Sequence, residues 1–295
     1  DVGIASADGI FQVSGGIGSI NNYAGATITA VAVSATLDGD VDGYGGRAVV
    51  DGTRMTAFNA YQYNGGEIVA SAYVAPGSEA LLHPSLALAY GTYMHARSTY
   101  PSDPAYLSDF VNTVELLNTG SIEAYAGADM GEAAAYGAFL LGSFYSSTTN
   151  SGHILAEADA DEGFAVAVGT YNYASVSEYL GCDYYGCHYA VRDGVSVLDN
   201  QEGGEIIAYA SADAGVAEAY GSVVLAPFAA TTTNAGSISA YASSEGGLAY
   251  ATGSLTRSFY GLPELHNSGI IYAGAYGEVA VAIGANVIGT YGVVV

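Results

Sequence analysis

The chain contains no lysine and no tryptophan, and it sets five arginines against 29 acidic residues. The formal net charge is −24 over 295 residues. This charge excludes general nucleic-acid binding, which needs a basic surface, and it disfavours binding to anionic membranes. No apolar run approaches the roughly 18 residues of a membrane-spanning helix, so no transmembrane segment is expected. The charge suits a protein that stays soluble by repulsion or binds cations.

Cysteine is also scarce, with two residues in the whole chain. Cys182 and Cys187 lie close together in the stretch G-C-D-Y-Y-G-C. This spacing favours a local disulfide that closes a loop, which would place the protein in an oxidising, extracellular setting. A metal site shared with His188, or two free thiols, are the alternatives.

The dominant feature of the chain is an internal repeat, in which G-x-I-x-A-x-A is followed by A-x-A-x-G. Ala26 opens a variant copy of the first half, and the full first halves begin at Gly66, Gly120, Gly152, Gly204, Gly236 and Gly269. The shortest spacings are about 32 or 33 residues. Repeats of this kind predict a stacked array, in which each unit buries its apolar face against its neighbours.

Within a unit, apolar and polar residues alternate with the period of a half-buried strand. In the third unit, for example, Ile122, Ala124 and Ala126 alternate with Glu123 and Tyr125. We predict two strands joined by a turn, then a corner marked by an asparagine, a residue that tolerates left-handed backbone and whose side chains can hydrogen-bond up a stack.

The repeat therefore predicts an all-β fold, a parallel β-solenoid of about seven three-sided coils that forms one elongated domain over residues 1–295. Its small Ala and Gly side chains predict a narrow cross-section. Antiparallel hairpins arranged as a sandwich are the main alternative. Longer spacings predict insertions at two corners, where function would be sought; they span residues 33–47, 73–86, 92–117 and 170–201.

An acidic motif in the first insertion predicts a Ca²⁺ site. Asp38, Asp40 and Asp42 follow the D-x-D-x-D-G start of a calcium loop, and Tyr44 could add a backbone carbonyl. The motif then departs from the calcium-loop pattern, because Val49 stands where a Glu is expected. A solvated acidic loop is the alternative.

Tyrosines recur on the outward side of the units. Tyr125, Tyr209 and Tyr241 occupy the same position of their units and predict either a ladder within the chain or a contact face for another subunit or a carbohydrate. The final residues are β-prone and nothing there resembles a polar cap, so Tyr291, Val293 and Val295 are candidates for association with another copy.

The recurring N-x-G-x-I-x-A-x-A and following A-x-A-x-G resemble the passenger regions of bacterial autotransporters and related surface β-solenoid proteins. The resemblance extends from about Asn22 to Gly284. It implies a right-handed β-helix that is secreted or displayed on the cell surface and serves in adhesion, aggregation or biofilm formation.

Two functions are therefore expected from the sequence. The first is an extracellular structural protein that assembles with its own copies into a filament or surface layer, helped by calcium. The second is a monomeric adhesin that binds glycans or surfaces through its inserted loops. No clustered carboxylates with a base are evident in the sequence, so we do not expect an enzyme.

Overall fold

The computed structural model of the chain describes residues 4–35, 46–75, 85–96, 112–175, 177–183, 186–191 and 194–290. Strands and the short connections between them account for these residues, and no helix occurs within them. The strands form one ten-stranded sheet, one seven-stranded sheet and a two-stranded hairpin.

The ten-stranded sheet contains the long strands. They are β1 (Ile4–Val13), β3 (Thr27–Ala35), β4 (Arg47–Ala57), β6 (Glu67–Ala75), β7 (Ser85–Ala96), β9 (Ser121–Gly142), β11 (His153–Ala174), β15 (Glu205–Ala226), β17 (Ser237–Ser258) and β19 (Ile270–Gly289).

The seven-stranded sheet contains the short strands that alternate with them. They are β2 (Ile17–Asn22), β5 (Asn59–Asn64), β8 (Thr113–Asn118), β10 (Tyr145–Asn150), β14 (Val195–Asn200), β16 (Ala229–Asn234) and β18 (Glu264–Asn267). The hairpin pairs β12 (Ser177–Asp183) with β13 (Gly186–Val191) in antiparallel fashion.

Both large sheets are parallel, and equivalent residues of successive repeats lie side by side. Ile122 pairs with Ile154, and Ile154 pairs with Ile206. This register confirms the predicted stacking. The parallel pairing excludes the alternative of an antiparallel sandwich. It is consistent with a β-solenoid, since the chain returns to the same sheet after each short strand.

The predicted turn between the two strands of a unit is wrong in one respect, because β9 continues as a strand from Ala126 to Ala133. It stays paired with β11 on one side, and on the other it pairs with β6 up to Ala128 and with β7 from Gly131. The strand nevertheless folds back on itself. A Cβ added at Gly91 would lie 2.5 Å from Ile122 Cγ2 and 2.6 Å from Gly137 O, so the two ends of β9 converge there. The chain bends near Gly131, whose φ of 126° favours glycine.

The bend creates two neighbouring cores. The first is built almost entirely of alanine, with Ala124 and Ala126 from the first half of β9 beside Ala133 and Ala135 from its second half. The second core lies between the long strands and the short sheet, and contains larger side chains such as Ile122. A methyl group is too large for the position of Gly91, as the distances above show, so the opposing strands approach closely at this point.

The corner asparagines form a ladder that is buried except at Asn267. The left-handed backbone expected for them is wrong, because among the described residues only glycines have a positive φ. The amide of each asparagine donates to the side-chain oxygen of the next at 2.7–2.9 Å. Stacking identical amides satisfies their buried polar atoms. The ladder consists of Asn22, Asn64, Asn118, Asn150, Asn200, Asn234 and Asn267.

The regular strands extend into the ends of the predicted insertions. Strand β7 continues to Ala96, and β8 begins at Thr113, both within the range 92–117. In the same way, β3 ends at Ala35 and β14 begins at Val195. The predicted ranges include these strand ends because repeat spacing alone does not show where hydrogen bonding to the neighbouring strand stops.

Candidate functional site at the terminal strands and the tyrosine column

The two ends of the long sheet are candidate interaction surfaces. Among the described residues, β1 pairs along one edge with β4, and β19 pairs along one edge with β17. Each of these strands therefore has a second edge whose backbone N–H and C=O groups are open to another strand.

Strand β19 exposes a sequence that is buried elsewhere. Ala249 and Ala251 of β17 are 0% exposed, whereas their partners Ala280 and Ala282 in β19 are exposed. Val279 is 58% exposed in the same segment. The segment thus has the same pattern of small residues as the buried strands, but no further strand packs against it among the described residues.

Strand β1 presents the matching pattern at the opposite end. Ala5 and Ala7 pair with Ala48 and Val50, Gly9 lies against Gly52, and all three belong to the same A-x-A-x-G series. Large apolar side chains flank this series and face solvent; they are Ile4 at 70%, Phe11 at 58% and Val13 at 65% exposure.

A tyrosine column runs across three long strands on the outer face. We define it as Tyr209, Tyr241 and Tyr272, with ring centroids 4.8 Å and 5.1 Å apart. Tyr241 lies in register with Gly274, not with Tyr272. The ring of Tyr272 leans over Gly274 and fills the place that a side chain there would occupy. Desolvation raises the pKa of Tyr209, and the neighbouring Tyr241 raises it further.

Tyr125 is not part of this column, although its position in the repeat predicted that it would be. Glu157 lies in register between Tyr125 and Tyr209 and separates them. The Tyr125 hydroxyl instead donates to Glu123 Oε2 at 2.6 Å. Partial burial and this hydrogen bond raise the pKa of Tyr125.

An open groove of about 800 Å³ lies beside the tyrosine column. Glu157 and Asp159 lie at one end of it, and Ser211 and Ser243 supply hydroxyl groups along it. The far end is formed by Tyr276, which is 72% exposed. The groove therefore combines aromatic edges, hydroxyl groups and two carboxylates.

A second aromatic cluster is half-buried on the outer face of the neighbouring segment. Phe139 stacks between Tyr93 and Tyr171 at 5.6 Å and 4.8 Å, and Tyr90 stacks on Tyr136 at 5.1 Å. Burial raises the pKa of Tyr93, Tyr136 and Tyr171. These close ring contacts point to stabilisation within the chain.

A buried carboxyl group lies next to the terminal strand β1. Asp51 is 2% exposed and pairs in register with Asp8, and it accepts a hydrogen bond from Arg54 Nη1 at 3.3 Å. Burial raises the pKa of Asp51 to about 6; Arg54 opposes this rise and Asp8 adds to it. Sequence reasoning missed this group, because Asp8 and Asp51 meet only through the strand register.

Several predicted site residues lie outside the described part of the chain. These are Asp38, Asp40, Asp42 and Tyr44 of the calcium motif and Tyr291, Val293 and Val295 at the end. For the cysteines the backbone is described, and it sets Cys182 opposite Cys187 in the hairpin. Opposed residues of an antiparallel pair have Cα separations of about 4.5–5.5 Å, which a disulfide can span.

The described ranges contain no group of three His, Cys, Asp or Glu side chains arranged to hold a metal ion. Within the same ranges, no helix has the length and apolar character to cross a membrane. No protein-family model matches the chain, and neither the curated proteins nor the solved structures include a significant match to it.

Proposed function

We propose that the chain is an extracellular structural protein that assembles with its own copies into a filament or surface layer. In this proposal the stacked repeats form about seven coils of a right-handed solenoid. The assembly contacts are the open edges of β1 and β19, with the tyrosine column as a lateral contact. The protein is not an enzyme in this proposal.

The observation that carries the proposal is a difference in burial between two adjacent strands that share one sequence pattern. Ala249 and Ala251 in β17 are fully buried, whereas Ala280 and Ala282, their partners in β19, are exposed. Exposed strand edges with apolar side chains are templates for pairing with another chain. Covering these edges would bury apolar surface, which stabilises the contact by roughly 25 cal/mol for each Å² buried.

Charge opposes such assembly and makes it depend on cations. A net charge of −24 per copy produces repulsion between copies. We propose that Ca²⁺ relieves it, with Asp38, Asp40, Asp42 and the Tyr44 carbonyl as ligands. Salt alone would also screen the surface charges.

Sedimentation velocity of the purified chain tests the proposal. We expect mass to rise with protein concentration at millimolar Ca²⁺ and to fall on chelation, with filaments or sheets visible by electron microscopy. A monomer at every concentration, with and without Ca²⁺, would refute the proposal. A Tyr241→Ser variant tests the lateral contact, and Tyr61→Ser, half-buried in the short sheet, serves as its control.

A second candidate function is glycan binding by a monomeric adhesin, and the groove beside the tyrosine column favours it. Aromatic edges and hydroxyl groups are common in binding sites for polar ligands. A glycan array would distinguish the two: selective binding by a monomeric wild-type chain, lost on Ser243→Trp in the groove, supports the adhesin. Absence of binding alongside concentration-dependent assembly supports the structural protein.

A further inference from the structure

We infer that two copies meet through β1 of one copy and residues 279–289 of β19 of the other, in parallel and in register. This inference rests on the proposed function and specifies its interface. Each copy then has two different ends, and the assembly has a direction.

The register follows from the strand pairs inside the molecule. Ala280 pairs with Ala249 at one end of the series, and Ala48 pairs with Ala5 at the other. Extending the series by one strand spacing of ~4.8 Å sets Ala5 of the second copy beside Ala280 of the first. The full set of interior pairs is Ala5 with Ala280, Ala7 with Ala282 and Gly9 with Gly284.

The outward pairs of this register are also compatible. Ser6 would lie beside Val281, and Asp8 beside Ile283, so no like charges are brought together. Every strand pair along the long sheet is parallel. The open edge of β19 can therefore accept β1 of another copy in the same way that the edge of β17 accepts β19.

The contact uses one part of β19 only. Strands β2 and β3 follow β1 in the chain, and β3 forms the outermost strand beside β6. With β1 seated on residues 279–289, β3 lies two strand spacings from the first half of β19. The first half therefore takes no part in the contact, which provides a control surface within the same strand.

A head-to-tail contact between unlike surfaces does not close on itself. It propagates into an open chain unless rotation closes a ring. A contact between two β19 strands would instead pair like surfaces and stop at a dimer. The two cases differ in how end-blocked variants behave.

Cysteine cross-linking tests the register directly. Ser6→Cys with Val281→Cys should form a disulfide between copies, located by mass spectrometry of the joined peptides. Ser6→Cys with Ile288→Cys is the out-of-register control. The first pair should cross-link at least about tenfold more than the control, because Cα atoms more than ~7 Å apart cannot be bridged. Equal cross-linking of both pairs would contradict the register.

Complementation of blocked ends tests the direction. Ala282→Asp blocks the β19 end and Ala7→Asp blocks the β1 end, since each places a charge where apolar residues would cover it. Combined with Tyr241→Ser, which removes the lateral contact, each variant should remain a monomer, and an equimolar mixture should form dimers. Ile270→Asp, in the exposed first half of β19, adds the same charge and should assemble like the wild type.

The outcomes separate the inference from the proposed function. A wild-type chain that remains a monomer refutes the proposed function itself. A wild-type chain that assembles while Ala282→Asp combined with Tyr241→Ser still dimerises refutes the directed contact and leaves self-assembly standing. Thermal unfolding of each variant shows whether it is folded, and cross-linking decides the register if Ala7→Asp fails to fold.

Discussion

Ile154 fills the space directly over Gly137 of the preceding repeat. A Cβ added at Gly137 would lie 2.5 Å from Ile154 Cγ2 and 2.6 Å from Gly169 O. Six other glycines meet an isoleucine of the opposing strand in the same way; they are Gly9, Gly52, Gly91, Gly169, Gly221 and Gly253. The glycine that ends A-x-A-x-G is thus required by close approach of the opposing strand at these positions, but not at Gly284 in β19, where the nearest atom to an added Cβ lies at 4.0 Å.

Substituting this glycine should destabilise the fold. Gly137→Ala forces either the backbone or Ile154 to move, and we expect a loss of about 1–3 kcal/mol in the free energy of unfolding. Denaturant unfolding of the variant measures it. Gly15→Ala is the control, because no atom lies within 4 Å of its added Cβ. Equal effects of the two changes would contradict the packing described.

Interrupting the asparagine ladder should also destabilise the fold. Asn150 accepts from Asn118 at 2.8 Å and donates to Asn200 at 2.9 Å, at 0% exposure. Asn150→Ala removes both of these bonds and should cost about 1–3 kcal/mol in denaturant unfolding. Asn267→Ala, at the exposed end of the ladder, removes one such bond and should cost less.

Stability should fall as pH rises through about 6 because of Asp51. Its folded pKa of about 6 exceeds the unfolded value of 3.8, so the folded state binds more protons between these values. The favourable effect is complete below 3.8 and is lost as pH rises past 6, by up to about 3 kcal/mol. Comparing unfolding of the wild type and Asp51→Asn at pH 4 and 7.5 measures it. An unchanged pH slope in Asp51→Asn would contradict the assignment.

The tyrosine column should contribute to stability through its middle ring. Tyr241 contacts a ring on each side, so Tyr241→Ala should lower the free energy of unfolding by about 1–2 kcal/mol and reduce the near-ultraviolet circular dichroism. Tyr276→Ala, with 72% exposure, should change stability little. The reverse order of effects would show that the column is not stacked as described.

The strand register could be predicted from the sequence because Ile, Ala and Gly recur at equivalent positions of each repeat. Ile122, Ile154 and Ile206 occupy equivalent positions and lie side by side. The predicted turn after Ala126 failed for a physical reason. A chain that bends at glycine can keep its hydrogen bonds to parallel neighbours, and composition does not distinguish this bend from a free turn.

The candidate site was less accessible from the sequence. Tyr209 and Tyr241 share a repeat position, and their stacking could be predicted. Tyr272 is offset by two residues and joins the column because Gly274 leaves room for its ring. The absence of a side chain at Gly274, beside tyrosines at equivalent positions, is the signal that could have identified it. The pairing of Asp51 with Asp8 required the register between two strands that are far apart in sequence.

Cryo-electron microscopy of the assembled wild-type chain shows directly whether copies join through β19 and β1. We expect filaments in which the ~4.8 Å strand spacing continues from residues 279–289 of one copy into β1 of the next. Filaments or layers in which both terminal strands face solvent would contradict it.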